Sequence, residues 1–333
     1  MEKILIIGGA GYVGTVMTAH LLNAGYQVRT LDKFLYENNH CILPYLGREG
    51  YEFVYGDLCD RETLKEALKG ITSVVLLAGL VGDPITKKYP EVSKHINERG
   101  VIQCVDSLNG MGLEKFIFVS TCSNYGLIKE DKLATEETEL RPLSLYAKAK
   151  VDAEEHVLGL KGKIDYSPTI LRFATAFGLS PRMRFDLTVN EFTRDLAVGK
   201  GMLVYDAHTW RPYCHVRDFA RLVEMVLRSP NQKTDFEVYN AGGDVNNYTK
   251  QGIVDLILEQ LPQADVSYQE HGSDPRNYRV DFSKIKETLG FEPEYTIKDG
   301  ILEILSAINN QTFEHVDKNK NLYGNYEIKY TVM

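Results

Sequence analysis

A chain of 333 residues with 44% hydrophobic and 25% charged residues is large enough for one sizeable α/β domain and a smaller one, and has the composition of a soluble globular protein. Its net charge of −8, with acids and bases interspersed, points away from nucleic acid and from an anionic membrane as partners. The cysteines (Cys41, Cys59, Cys104, Cys122, Cys214) are odd in number, scattered and without a CxxC pair. That excludes a disulfide framework and a zinc site of that type, and no metal is expected. No apolar run approaches the ~20 residues a helix needs to cross a bilayer. The opening Met1-Glu2-Lys3 runs straight into an apolar strand, so no signal peptide and a cytoplasmic location are expected.

In chain order, Ile4–Ile7 reads as a buried strand and Tyr12–Ala24 as a helix ended by Gly25. Further strands are expected at Gln27–Leu31, Glu52–Tyr55, Ser73–Leu77, Lys115–Ser120 and Ser167–Phe173, with helices at Arg61–Leu68, Val92–Met111 and Leu145–Leu158 between them. Apolar strands alternating with helices predict an α/β fold, a Rossmann-type doubly wound parallel sheet. After Gly178 the pattern changes. A break at Pro181–Arg184 leads to a helix at Leu187–Val198, a strand at Met202–Tyr205 and a helix at Val216–Leu227. Val238–Ala241 reads as a strand returning to the main sheet, followed by a helix after Tyr248, a polar stretch around Asp274–Tyr278 and a last helix near Ile297–Ile308. This divides the chain into a dinucleotide-binding domain, 1–178 plus the returning strand near 236–243, and a smaller C-terminal α/β substrate domain, 179–235 and 244–333. The Asn- and Tyr-rich tail after Asn309 carries no readable signal.

The turn after the first strand reads Gly8-Gly9-Ala10-Gly11-Tyr12-Val13-Gly14 and opens the first helix. Gly8 suits a tight turn, Gly11 lets a pyrophosphate approach the backbone, and Gly14 lets helix and strand pack closely. The helix N-terminus then offers amide donors and positive dipole to phosphates. At the end of the second strand, Asp32 is placed to accept from a ribose diol, and its charge would repel a 2′-phosphate. Lys33 beside it partly offsets that charge, so the cofactor expected is NAD rather than NADP.

Tyr146-Ala147-Lys148-Ala149-Lys150 puts Tyr146 and Lys150 on one helix face. An ammonium near the phenol would lower the tyrosine pKa from ~10 and make it a general base toward a hydroxyl. Upstream, Ser120-Thr121-Cys122-Ser123-Asn124-Tyr125-Gly126 closes the fifth strand at the sheet's carboxyl edge, where ligands bind in this fold. Thr121 offers a hydroxyl to share the reacting alcohol's hydrogen bond, with Cys122 and Ser123 next to it.

Together these residues resemble the extended short-chain dehydrogenases/reductases, in the group of NAD-dependent nucleotide-sugar epimerases and dehydratases. The resemblance runs from about Lys3 to Gly300. It rests on GGAGYVG, Asp32, Gly56-Asp57-Leu58, Leu77-Ala78-Gly79, Asn97, STCSNYG, YAKAK, and Arg211 with His215-Val216-Arg217-Asp218. It implies that Thr121, Tyr146 and Lys150 form the catalytic triad, with Lys150 also on the nicotinamide ribose. Asp57 and Leu58 would touch adenine, and Leu77, Ala78 and Gly79 would pass along the cofactor. Arg211 and Arg276, in Asp274-Pro275-Arg276, would grip a nucleotide diphosphate, which a planar guanidinium bonds bidentately. Arg184, Asn190 and the backbone near Leu187 are further candidates for that pocket. A homodimer is implied, with Val92–Met111 and Leu145–Leu158 paired across a two-fold axis.

By the same resemblance the first step is oxidation of a sugar hydroxyl, usually at C4. The 4,6-dehydratases carry an Asp-Glu pair after the catalytic threonine. Here those positions are Cys122 and Ser123, which demotes that reaction. A GDP-fucose synthase has its cysteine at the position of Ser123. Cys122 is displaced by one and is expected to pack as an inert thiol, and His208 and His215 are expected to be structural. Simple redox at C4 remains, as a 4-epimerase, the larger group, or as a 4-dehydrogenase or 4-ketoreductase. A non-catalytic NAD-binding protein would not need the intact triad, and a reductase of non-sugar carbonyls would not need two diphosphate arginines.

Overall fold

Strands rich in Val, Ile, Leu and Phe with no polar alternation are buried on both faces, and they build the centre of the molecule. The structure, a computed structural model, describes residues 2–129, 132–272, 274 and 276–332, so Pro275 lies outside the described residues. The strands are β1 (Lys3–Ile7), β2 (Gln27–Asp32), β3 (Tyr51–Tyr55), β4 (Ser73–Leu76), β5 (Lys115–Thr121) and β6 (Ser167–Phe173). There follow β7 (Thr175–Phe177), β8 (Met202–Tyr205), β9 (Trp210–His215), β10 (Glu237–Ala241), β11 (Asn247–Thr249) and β12 (Val266–Gln269). Seven of them form one parallel sheet in the order β10-β6-β5-β4-β1-β2-β3. From β1 the chain runs outward to β3, then crosses back to β4 and runs the other way. The crevice at the carboxyl ends of β1 and β4 is therefore the switch point where such sheets bind ligands.

Two hydrophobic layers cover the sheet. On one face helix Tyr12–Asn23 packs Met17 and Leu21 against Phe219 and Val223 of helix Val216–Arg228. The other face carries Leu64 of helix Arg61–Leu68, Val105, and Ala153 and Val157 of helix Leu145–Leu158. The second half adds a three-stranded sheet, β11-β9-β7, and the pair β12-β8. Among the described residues no helix is long and apolar enough to cross a membrane.

One expected helix differs. Val92–Met111 is replaced by Pro90–Ser93, a wider π-turn segment Lys94–Gly100, and Val101–Asp106. The widened turn sits where Asn97 leaves the helix pattern, its amide both accepting from the Leu80 N–H (2.7 Å) and donating to the Leu80 carbonyl (2.9 Å). The helix stops at Asp106 because Ser107 folds its hydroxyl back onto the Gln103 carbonyl and Gly110 takes a left-handed φ of 78°.

Candidate active site

One cavity of about 460 Å³ follows the carboxyl edge of the sheet from Lys33 and Asp57 to Arg211 and Arg276. Every residue given a role from the sequence lines it except Cys122 and Asn190. At the dinucleotide end the glycines are required by space. Gly8 has a φ of 92°, and a Cβ there would lie 2.8 Å from the Ala78 nitrogen. A Cβ on Gly14 would lie 2.3 Å from the Gly8 carbonyl oxygen, so Gly14 packs against the loop itself rather than the strand. Gly11 caps helix Tyr12–Asn23 without any side-chain hydrogen bond, leaving the helix end open to an anion. The Asp32 carboxylate is fixed by the amides of Ala10 (3.0 Å) and Phe34 (2.8 Å), while burial raises its pKa. This open cradle, with an immobilised carboxylate one strand away, fits a dinucleotide. The Tyr12 hydroxyl is engaged within the chain, donating to the Gly178 carbonyl (2.6 Å).

Lys33 does not face a 2′-phosphate. It pairs with Asp57 (2.8 Å) and lies 4.2 Å from the ring centre of Tyr330. Asp57 is engaged within the chain as well, accepting from Cys59 N–H (2.9 Å) and from the Tyr330 hydroxyl (2.7 Å).

At the centre, Thr121 ends β5 and its hydroxyl accepts from the Ser123 N–H (3.1 Å). Ser144 caps the helix that carries Tyr146 and Lys150, its hydroxyl accepting from the Ala147 N–H. The expected lowering of the Tyr146 pKa is corrected here. Burial pushes the phenol up, Arg184 only partly opposes this, and Asp83 adds to it. The Lys150 ammonium donates to the Val119 carbonyl (2.6 Å) and stands 6.0 Å from the tyrosine ring centre, and it is not among the charges that lower the phenol's pKa. Burial brings Lys150 itself down to about 8, against a rise from Glu154.

At the far end Arg211 and Arg276 converge on Asp274. Arg211 Nη2 lies 3.1 Å from it, and Arg276 holds it through Nε and Nη2, both at 2.8 Å. Burial would raise the Asp274 pKa, but the two guanidinium groups outweigh that and keep the carboxyl well below its usual range. Arg276 also reaches Asp83 (3.3 Å), whose second oxygen is buried without a partner among the described residues. Arg184 is a bidentate partner of Asp186.

Two candidates are corrected. Cys122 turns away from the cavity, is 1% exposed and directs its sulfur at the Arg172 carbonyl, with burial raising the thiol pKa. Asn190 is fully buried, accepting from the Gly178 N–H and donating to Tyr12 and the Arg184 carbonyl, so it holds the break after β7 together. His215 is structural as expected. Its Nδ1 accepts from the Arg217 N–H and its Nε2 lies 2.7 Å from Glu303.

Sequence reasoning missed Asp83, Asp274 and Tyr278, which stands 3.3 Å from the Ser123 hydroxyl. Asp274 and Tyr278 bounded a stretch read only as polar, and Asp83 sits in a Gly-Asp-Pro loop pattern. It also missed the buried pair Glu154–Arg172 (2.7 Å) behind the site, which gathers Ser120, Asn124 and Tyr125. The available signal was periodicity, since Glu154 continues the face of Tyr146 and Lys150 at i+4.

The chain is 30% identical over 306 residues to the low-salt glycan biosynthesis protein Agl12 of Haloferax volcanii, covering 90% of this chain and 96% of that one. It is 27% identical over 323 residues to a UDP-glucose 4-epimerase of Corynebacterium glutamicum, covering 90% and 94%. A dTDP-glucose 4,6-dehydratase from Bacillus anthracis, solved in complex with NAD, shares the fold at a TM-score of 0.81 and 24% identity, over 94% of this chain and 98% of that one. The model of the NAD dependent epimerase/dehydratase family matches residues 4–242. With this match and the dinucleotide cradle in place, the chain belongs to the NAD dependent epimerase/dehydratase family and is an enzyme with NAD as its cofactor.

Proposed function

We propose that this protein interconverts C4 epimers of a sugar carried on a nucleoside diphosphate, through a 4-keto sugar. Residues 1–178 and the returning strand hold the cofactor, and 179–235 with 244–333 hold the substrate. One observation supports the reading: Thr121, Tyr146 and Lys150 line the same cavity as the glycine turn and the Arg211–Arg276 pair, with no carboxyl group directly following Thr121. Cys122 is sealed in the core and Ser123 is a hydroxyl, so the acid/base pair that would eliminate water is missing at that place.

NAD would be held by the Gly8–Gly14 turn and Asp32, and would supply reversible hydride transfer at C4 and a positive charge that favours the Tyr146 phenolate. Tyr146 takes the C4 hydroxyl proton as the keto group forms and returns it when the opposite face is reduced. Thr121 holds the same oxygen. Arg211 and Arg276 share their donors between Asp274 and the diphosphate. Arg211→Ala removes charge-assisted bonds from the diphosphate and is expected to weaken UDP or dTDP binding by ~10–100-fold in calorimetry. Unchanged affinity would place the diphosphate elsewhere.

The protein works in this reading as a cytoplasmic homodimer. The face of Lys94 with the half-buried Glu98 and Ile102, and the exposed face of Leu145, Lys148 and Asp152, would meet across a two-fold axis. Light scattering should return twice the chain mass, and a concentration-independent monomer mass rules the dimer out.

A further inference from the structure

The tail after helix Ile297–Asn309 returns to the cofactor. Its last stretch begins against the substrate half, where Arg182 donates to the Gly324 carbonyl (2.9 Å) and Asp186 accepts from the Asn325 N–H (3.1 Å). It then crosses the loop after β4, with the Asn325 amide donating to the Val81 carbonyl (3.0 Å) and Lys88 bonding the Tyr326 carbonyl and the Glu327 carboxylate. Ile328 is 8% exposed and plugs between Leu80 and Ile85. The stretch ends at the loops after β2 and β3. There the Tyr330 hydroxyl reaches Asp57 (2.7 Å) and its ring covers Lys33. Asn325, Tyr326 and Tyr330 all belong to the wall of the dinucleotide cavity.

We propose that Gly324–Tyr330 is a strap that forms the outer wall of the NAD site, with Tyr330 as a cofactor-positioning residue at its adenine end, and that it retains NAD from one turnover to the next. Seven residues join three separate loops of the sheet's carboxyl edge, so a dinucleotide leaves only after these contacts open together. A retained cofactor suits a reaction that regenerates NAD within each cycle, as epimerisation does, and hinders one that must exchange NADH for NAD. The inference rests in this respect on the epimerase reading, but the strap's effect on NAD release is independent of any substrate.

The test is the rate at which bound NAD escapes into a coupled enzyme trap. Full-length protein is compared with a chain ending at Tyr323, which keeps the Tyr323–Phe185 contact, and with full-length Tyr330→Ala and Tyr330→Phe. Release is expected to accelerate at least ~10-fold on truncation and less for Tyr330→Ala, while Tyr330→Phe, which keeps the ring over Lys33, stays nearer the parent. The NAD concentration needed for half-maximal turnover should shift more than kcat does for the Tyr330 variants, a split that a merely structural role would not give. Equal release rates for parent, truncation and Tyr330→Ala, each with a native melting profile, overturn the strap. So does a parent protein that loses NAD within seconds. Should the truncation not fold, the two full-length Tyr330 variants decide alone. Loss of epimerisation with slow NAD release would refute the reaction and leave the strap standing.

Discussion

Tyr146→Phe is expected to reduce turnover by at least ~10²–10⁴-fold while fold and NAD affinity stay near those of the parent. Tyr146 is half-buried in the cavity wall, and the variant keeps its ring. The substitution therefore removes one oxygen and its proton. Lys150→Met should behave differently, slowing turnover and also weakening NAD binding. It carries a further signature in pH. Burial lowers the Lys150 pKa to about 8 in the folded chain, below its ordinary value of 10.5. The buried ammonium thus costs the fold up to about 3 kcal/mol below pH 8, and stability is regained as pH rises from 8 to 10.5. The parent should gain stability relative to Lys150→Met across that interval in denaturant titrations. A flat difference would mean that the lysine titrates in the folded chain as it does in the unfolded one, so that burial does not lower its pKa.

Glu154→Gln is expected to destabilise the protein by about 3–5 kcal/mol, because it strands the Arg172 guanidinium in the core. Both side chains are nearly inaccessible, at 2% and 6% exposure, and Glu154 accepts from Arg172, Ser120 and Asn124 together. Those partners tie the helix of Tyr146 and Lys150 to the ends of β5 and β6. The double variant Glu154→Leu with Arg172→Met removes both charges and should recover most of the stability, since no charge is left unpaired. Turnover should stay depressed, as the tie from the helix of Tyr146 to Ser120, beside Thr121, is then lost. Recovery of both stability and turnover would show that the pair serves the core alone. Denaturant midpoints and kcat for the single and double variants separate these outcomes.

What the sequence disclosed follows periodicity and local turn chemistry. Ser167–Phe173, Met202–Tyr205, Arg61–Leu68 and Leu145–Leu158 end where they were read to end, since each has one clear period between breakers. Trp210–His215 was legible as a motif but not as a strand. It holds Arg, Pro and His with no alternation, and only its pairing with β7 and β11 makes it extended. Gly8, Gly14 and Asp32 were readable because backbone geometry dictates them. The pairing of Arg211 with Asp274 and of Arg276 with Asp83 was not, because ion pairs between distant loops leave no local pattern. The tail was opaque for the same reason, as Asn325 bonds Val81 and Tyr330 bonds Asp57, 244 and 273 residues away. The Tyr146 pKa was misjudged because helical spacing gives proximity to Lys150 but not burial, and burial dominates.

The most direct test of the central claim uses nucleotide sugars labelled with deuterium at C4, incubated with the purified enzyme and no added NADH, and followed by NMR and mass spectrometry. The account predicts the C4 epimer of one such sugar, at unchanged mass, with deuterium kept at C4 and no NADH accumulating, because hydride leaves and returns within one site. A product lighter by one water, or a released 4-keto sugar formed in step with NADH, would contradict it.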